Sequence, residues 1–453
     1  MIAADLTKGS ISKQLVRFSA PLVLSSLLQA VYGMVDMIVA GRFIGPAGLS
    51  AVNNSSMIML FVTQILIGFG TGGNVQIGQH FGAGEREDCK QSVVTLFTFC
   101  ISLGTALVAV FAVSARPILV ALKAPALDDA AGYLFICAFG IIFIAGYNAT
   151  SAALRSVGNS KAPLICVAVS CFLNIALDII FVALLGWGVA GTAVATVISQ
   201  GVSFVVSLAI VLRNYELFGL RLTKLFLRAD KLKKLLKLSI PVCIQMSVTY
   251  VSWFAVMYAI NGYGIVISAG NGVSIKIKNL CQLFITAMSS GSTAMIAQNV
   301  GAGEFDRVRK VLYTSMRIAL CVSIILIAAV EIFAPQLASF FTPDERTAAA
   351  AVTNLRIEIV SQIFYAVFLM YHSLALGVGH TWYVTMSSFV NCILARVALI
   401  FVLERLMGLT GIYLACLIAP ATSVPIGIWY ERSNRWRKKG FILRKTPHTM
   451  EQT

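Results

Sequence analysis

The sequence predicts an all-α polytopic membrane protein with 12 transmembrane helices in two six-helix lobes, and three observations carry that reading. Of 453 residues, 58% are hydrophobic and only 12% charged, with a mean hydropathy of +0.85. Soluble domains carry about 25% charged residues, so there are too few charges here to clothe a water-facing shell. Twelve apolar runs are each long enough to cross a bilayer, which takes about 20 residues. The second half of the chain also repeats the first at a shift of 219 to 221 residues.

In chain order, the first six spans are expected at 15–43, 52–80, 91–115, 127–154, 162–185 and 188–212. Six more follow at 238–261, 266–299, 311–334, 348–376, 382–404 and 408–431. Gly and Pro inside these runs are ordinary for membrane helices. The first run follows a weakly basic segment (Lys8, Lys13, Arg17) and is too long for a cleaved signal peptide, so it reads as a retained span.

Basic residues set the orientation. Of 35 Lys and Arg, 25 fall at the N-terminus, in the loops 81–90, 155–161 and 300–310, in the linker 213–237 and in the tail from 432. Five (Arg42, Arg116, Lys123, Arg346, Arg405) lie on the opposite side, and five (Lys276, Lys278, Arg317, Arg356, Arg396) lie within spans. Basic loops stay cytoplasmic, so both termini and the linker are expected inside the cell, in the cytoplasmic membrane. The net charge of +16 is thereby spent on topology and anionic lipid, and no nucleic-acid partner is called for.

The repeat defines the domains. "IGQHFGAGERED" (77–88) returns as "IAQNVGAGEFDR" (296–307), Pro21 matches Pro241, "RSVGN" (155–159) echoes "LGVGH" (376–380), and "GVAGTAVA" (188–195) resembles "GLTGIYLA" (408–415). Two six-span units, each entering from the cytoplasm, are related by a pseudo-twofold along the membrane normal. The expected domains are an N-terminal lobe (1–212), a basic linker (213–237), a C-terminal lobe (238–431) and a basic tail (432–453). Each GAGE loop reads as a helix C-cap, its glycine supplying the left-handed conformation.

Other chemistries find little support. Ten cysteines form no CxxC; nine sit in apolar runs and Cys89 in a polar loop, as small hydrophobes do. The four histidines show no ligand spacing, and no GxxxxGK[ST] is present, so neither an enzyme nor a cofactor is expected.

What does stand out is a carboxylate inside an apolar run: Asp36, within "LLQAVYGMVDMIVAGRFIG". Tyr32 and Asp36 are four residues apart and share a helix face, as do Asn174 and Asp178 in span 5. Counting 1.5 Å per residue, both acids lie about 10 Å from the outer end of their spans. Thr196 in span 6 and Tyr133 in span 4 fall at similar depth. Two acids in a low-dielectric layer cannot both ionise comfortably, so such a pair holds a shared proton. Alternatively, the oxygens of Asp36, Asn174, Asp178 and Thr196 can wrap a sodium ion. Either ligand would neutralise the layer and let span 1 repack.

These residues resemble the multidrug and toxic compound extrusion (MATE) family. The resemblance covers nearly the whole chain. It rests on Pro21, Gln29 and Asp36 in span 1, the paired GAGE loops, and "NIALDIIFVALLGWGVAGTAVAT" (174–196). It implies a V-shaped pair of lobes that exports lipophilic, often cationic, small organic compounds in exchange for protons or sodium. It also adds Gln29 and Asn148 as cavity-lining groups. A lone membrane amide more often bonds a neighbouring helix.

The second lobe departs from the first. Val256 stands where Asp36 would repeat, and Ala395, beside Arg396, stands opposite Asp178. Ion coupling is therefore expected in the N-terminal lobe alone. Glu358 could meet a cationic substrate in the cavity or be neutralised by Lys276, Lys278 or Arg396. Phe61, Tyr250, Trp253, Tyr365 and Tyr371 could offer cation–π contacts in the cavity or simply pack. A flippase for a lipid-linked precursor shares the two-lobe plan and would need a cationic groove. A non-transporting membrane enzyme or receptor would need a catalytic constellation or soluble domain, and neither is present. A monomer suffices.

Overall fold

A computed structural model describes residues 3–121 and 126–438, and every regular element among them is helical. Lys123, His448 and tail residues 439–453, which entered the counts above, lie outside the described residues. Among the described residues twelve helices are long and apolar enough to cross a membrane, as expected. Spans 1 to 6 are Ile11–Ile44, Gly48–Ala83, Arg86–Ala121, Leu127–Ser156, Lys161–Leu184 and Gly188–Arg213. Spans 7 to 12 are Ala229–Asn261, Ile265–Gly301, Phe305–Phe341, Ser361–Val378, Thr381–Met407 and Leu409–Arg432. Several outrun their apolar stretches by one or two turns, because backbone hydrogen bonding continues where hydropathy has already fallen.

Span 10 differs from expectation. The apolar run at 348–376 is broken: a helix Glu345–Glu358 ends, and a second begins at Ser361. Across the break the Gln362 and Ile363 amides donate three residues back, to Ile359 and Val360. The Ser323 hydroxyl donates to the Gln362 carbonyl at 3.4 Å. A carbonyl partnered from a neighbouring span makes such a break tolerable in lipid. Asp344 caps the helix Glu345–Glu358 by accepting from the Thr347 amide at 2.8 Å.

Three π-helical segments interrupt the spans: Ala40–Ile44, Ile179–Leu184 and Val390–Val397. The first starts four residues after Asp36 and the second directly after Asp178. Widened turns of this kind concentrate at functional positions.

Both GAGE loops end helices as expected. Gly84 and Gly303 take left-handed φ of 77° and 79°. The amide after each reaches back five residues, Glu85 to His80 and Glu304 to Asn299, the bonding of a Schellman cap. The two "Gly-x2-Gly" copies serve the hairpins between spans 5 and 6 and between spans 11 and 12. A Cβ on Gly191 would lie 3.1 Å from Trp187, and one on Gly411 only 2.0 Å from the Leu403 carbonyl oxygen.

The chain divides into two compact units. One comprises Met1–Asp5 and Ala20–Ile240, the other Leu6–Ser19 and Pro241–Thr453. The divisions fall inside spans 1 and 7, beside Pro21 and Pro241, where each helix lacks a backbone donor. In the first unit, span 4 packs closely along spans 2, 3 and 6; in the second, span 8 packs along spans 9 and 10 and the Glu345–Glu358 helix. Span 1 buries Leu15, Phe18, Ser19 and Leu22 in its first half, and its π-helical end meets spans 2, 5 and 6.

The described cysteines are all free. Cys89 lies in the first turn of span 3 and is buried, not in an exposed loop, whereas Cys321 is exposed.

Candidate functional site

The acids of spans 1 and 5 point at each other. Asp36 is 8% exposed and Asp178 fully buried, and one carboxamide reaches an oxygen of each. Asn174, 1% exposed, lies between them. With its carboxamide turned as its neighbours require, Nδ2 donates to Asp36 Oδ1 at 3.0 Å and to Asp178 Oδ2 at 3.1 Å. The i, i+4 spacing of Asn174 and Asp178 aims both groups at span 1, and the π turn begins at the very next residue.

Span 6 closes the cluster. Thr196 donates its hydroxyl proton to the Thr192 carbonyl at 2.9 Å, which leaves its oxygen free to accept. The Tyr32 hydroxyl lies within hydrogen-bonding reach of both Asp36 and Thr196. Having one proton, it can serve only one of them at a time. Tyr133 is buried close to Tyr32, Ser56 and Cys137. The six residues expected in one layer are thus brought together. Cys137, one turn after Tyr133, and Ser56 join them; the i, i+4 spacing of Cys137 was the signal available in the sequence.

The chemistry left over is an oxygen surplus. Asp178 Oδ1 is buried with no hydrogen-bond donor. A desolvated carboxylate oxygen without a partner costs on the order of 1–3 kcal/mol or more. A proton on either acid, or a small hard cation bound by the carboxylates and Thr196 with the Asn174 carboxamide turned over to present its oxygen, would satisfy it. Oxygen donors of this type suit sodium, so the donor set fits either ion.

The remaining expected residues lie elsewhere. Gln29 is exposed. Asn148 donates to the Ile144 carbonyl of its own helix at 2.8 Å rather than to a neighbouring span. Glu358, at the end of its short helix, forms a buried ion pair with Lys278, with side chains 2% and 3% exposed. Lys276 is exposed. Trp253 carries Lys278 and Arg396 against its ring at 4.6 and 4.9 Å. Tyr371 packs where Gly427 leaves room for it.

One cluster escaped the sequence reading. At the first GAGE loop, His80 Nδ1 lies 2.8 Å from Glu85 Oε2, and Lys231 pairs with Asp88. The ligand atoms of His80, Glu85 and Asp88 all converge within 4.8 Å, but the buried Lys231 ammonium already supplies a cation there. In the sequence Lys231 looked like one of eight solvated linker charges. It is buried because span 7 begins at Ala229 and turns this residue toward Gln76, whose amide donates to the Lys231 carbonyl at 3.2 Å.

An internally duplicated, twelve-span helical membrane protein with a buried acid pair bridged by a carboxamide is the class that fold and site define. The chain belongs to the MatE family, whose model matches residues 21–180 and again 241–402. The double match is the internal duplication seen from outside. Among similar proteins from Bacillus subtilis, the probable multidrug resistance protein YoeA is 29% identical over 81% of this chain and 81% of its own. YpnP, another probable multidrug resistance protein, is 30% identical over 68% of this chain and 69% of its own. A crystal structure of a MATE protein in complex with MaL6 has the same fold, with a TM-score of 0.90 at 21% identity, covering 95% of this chain and 97% of that one.

Proposed function

We propose that the protein is a secondary antiporter that exports small organic compounds, often cationic, in exchange for protons or sodium. The observation that carries this reading is the Asp36–Asn174–Asp178 bridge, with its undonated Asp178 oxygen. Such a cluster binds an ion in one state of the helices and releases it in another. Span 1, which carries Asp36 four residues before a π-helical turn, is the element an ion could move. Neutralising the pair removes the repulsion between Asp36 and Asp178, and the Tyr32 hydroxyl can then turn from donating to Asp36 to donating to Thr196. The multidrug resistance relatives from Bacillus subtilis support the substrate class. Placement of 25 of 35 basic residues on one side supports cytoplasmic termini.

A flippase for a pyrophosphate-linked lipid fits less well. Of its three candidate cations, Lys278 is paired with Glu358 and Lys276 is exposed. The test is efflux of a fluorescent cation from proteoliposomes under an imposed proton or sodium gradient, comparing the native chain with Asp36→Asn. Gradient-driven efflux lost in the variant is the expected result. Lipid scrambling without cation efflux would replace antiport with flipping.

A further inference from the structure

The second unit holds a buried charge cluster of its own, and its charges do not balance. Lys278 is matched by Glu358. Arg396, 7% exposed, has no carboxylate partner among the described residues. Its Nη1 donates to Ser252 Oγ at 3.3 Å, and Ser252 in turn donates to the Cys392 carbonyl at 2.6 Å. Arg396 Nε is buried and donates to nothing. The guanidinium carbon lies 4.9 Å from the centre of the Trp253 ring, and Lys278 approaches the same ring at 4.6 Å. Two cations and one anion therefore share one desolvated region around an indole. Taking an ion out of water costs more than a desolvated cation–π contact returns. One positive charge stays uncompensated.

The repeat sharpens the point. Asn391 corresponds to Asn174, and Arg396 follows directly on Ala395, the counterpart of Asp178. A π-helical segment follows Asp178 in the first copy (Ile179–Leu184) and encloses Asn391 to Arg396 in the second (Val390–Val397). One framework thus presents acid in the first unit and base in the second. We propose that the Arg396 cluster is a binding site for a single oxyanion, a carboxylate or phosphate group. The free Nε–H of Arg396 would bind it directly, with Lys278 adding charge from across Trp253. The guanidinium fork matches an oxyanion in shape. One surplus charge suits one oxyanion and not a pyrophosphate. Glu358 lies within the same cluster; its negative charge is held by Lys278, which sets the surplus at one. The inference is independent of antiport, since none of these residues belongs to the acid cluster of the first unit.

The experiment uses the purified full-length protein and two probes. In detergent, inorganic phosphate is titrated against chloride at equal ionic strength while tryptophan emission and the melting temperature are followed. In nanodiscs, phosphatidylglycerol is compared with phosphatidylcholine. A saturable, phosphate-specific response points to a soluble oxyanion, and one confined to phosphatidylglycerol points to a lipid headgroup; either supports the site. The response should vanish from the emission of Trp253→Phe. Affinity should fall about ten- to a hundredfold in Arg396→Gln, as for loss of a charge-assisted hydrogen bond, with Arg396→Lys intermediate. Glu358→Gln raises the surplus to two, so its melting temperature should climb more steeply with the bound probe than that of the native chain. No response to either probe, a response indifferent to Arg396, or a weaker response in Glu358→Gln would each overturn the proposal.

Discussion

Replacing Asp36 with asparagine tests the acid cluster most directly, because it removes a charge and almost no volume. Asn174 Nδ2 touches one oxygen of each acid, at 3.0 and 3.1 Å, so the two carboxylates lie no more than about 6 Å apart. At about 5 Å and an effective dielectric constant near 20, two unit charges repel by about 3 kcal/mol. That corresponds to roughly a hundredfold in ion affinity. In Asp36→Asn the repulsion is gone and a new amide can donate to Asp178. Two changes are expected together: a higher melting temperature without the coupling ion, and loss of the stabilisation that ion binding gives the native chain. A thiol-reactive dye reads both, since eight of the ten cysteines are buried and become reactive on unfolding. The measurement is repeated across a sodium series and a pH series, which identifies the ion. A variant whose melting temperature tracks the ion as the native protein's does would refute the reasoning.

Three other changes probe the framework. Asn174→Ala removes the donor shared by both acids and should cost on the order of 1–3 kcal/mol along with gradient-driven efflux; unchanged melting would mean the bridge does not form. Lys278→Met removes the cation paired directly with buried Glu358, so a loss of up to about 3–5 kcal/mol is expected, with the Lys278→Met/Glu358→Met double variant recovering part of it. A double-mutant cycle on melting temperature that shows simple additivity would dissolve the pair. Gly411→Ala places a Cβ 2.0 Å from the Leu403 carbonyl oxygen, backbone that cannot step aside, whereas a Cβ on Gly132 meets nothing within 4 Å. The first should abolish monodisperse protein on size-exclusion chromatography. The second should be neutral or slightly stabilising, by up to about 1 kcal/mol.

Much of the site was legible before any fold was known, and the reason is locality. A carboxylate in an apolar run is conspicuous, four-residue spacing places Tyr32 with Asp36 and Asn174 with Asp178 on shared faces, and counting along a helix sets their depth. Other features depend on how one helix is rotated against another that is distant in sequence. Nothing within the linker tells Lys231 from its solvated neighbours; Asp88, 143 residues away, does. Glu358 had three cations to choose from, and the choice of Lys278 belongs to the packing of span 8 beside a helix that ends early.

Sequence alone therefore determined the class, the twelve spans, the duplication and the identity of the acids, because solvation and helical periodicity act over a few residues. Tertiary structure alone decided that Asn174 joins the two acids, that π turns open beside them, that the unit boundaries cut spans 1 and 7 at Pro21 and Pro241, and that Arg396 has no carboxylate partner among the described residues. Each of these depends on which side chains meet across helices, and pairing at a distance is settled only once the helices have packed.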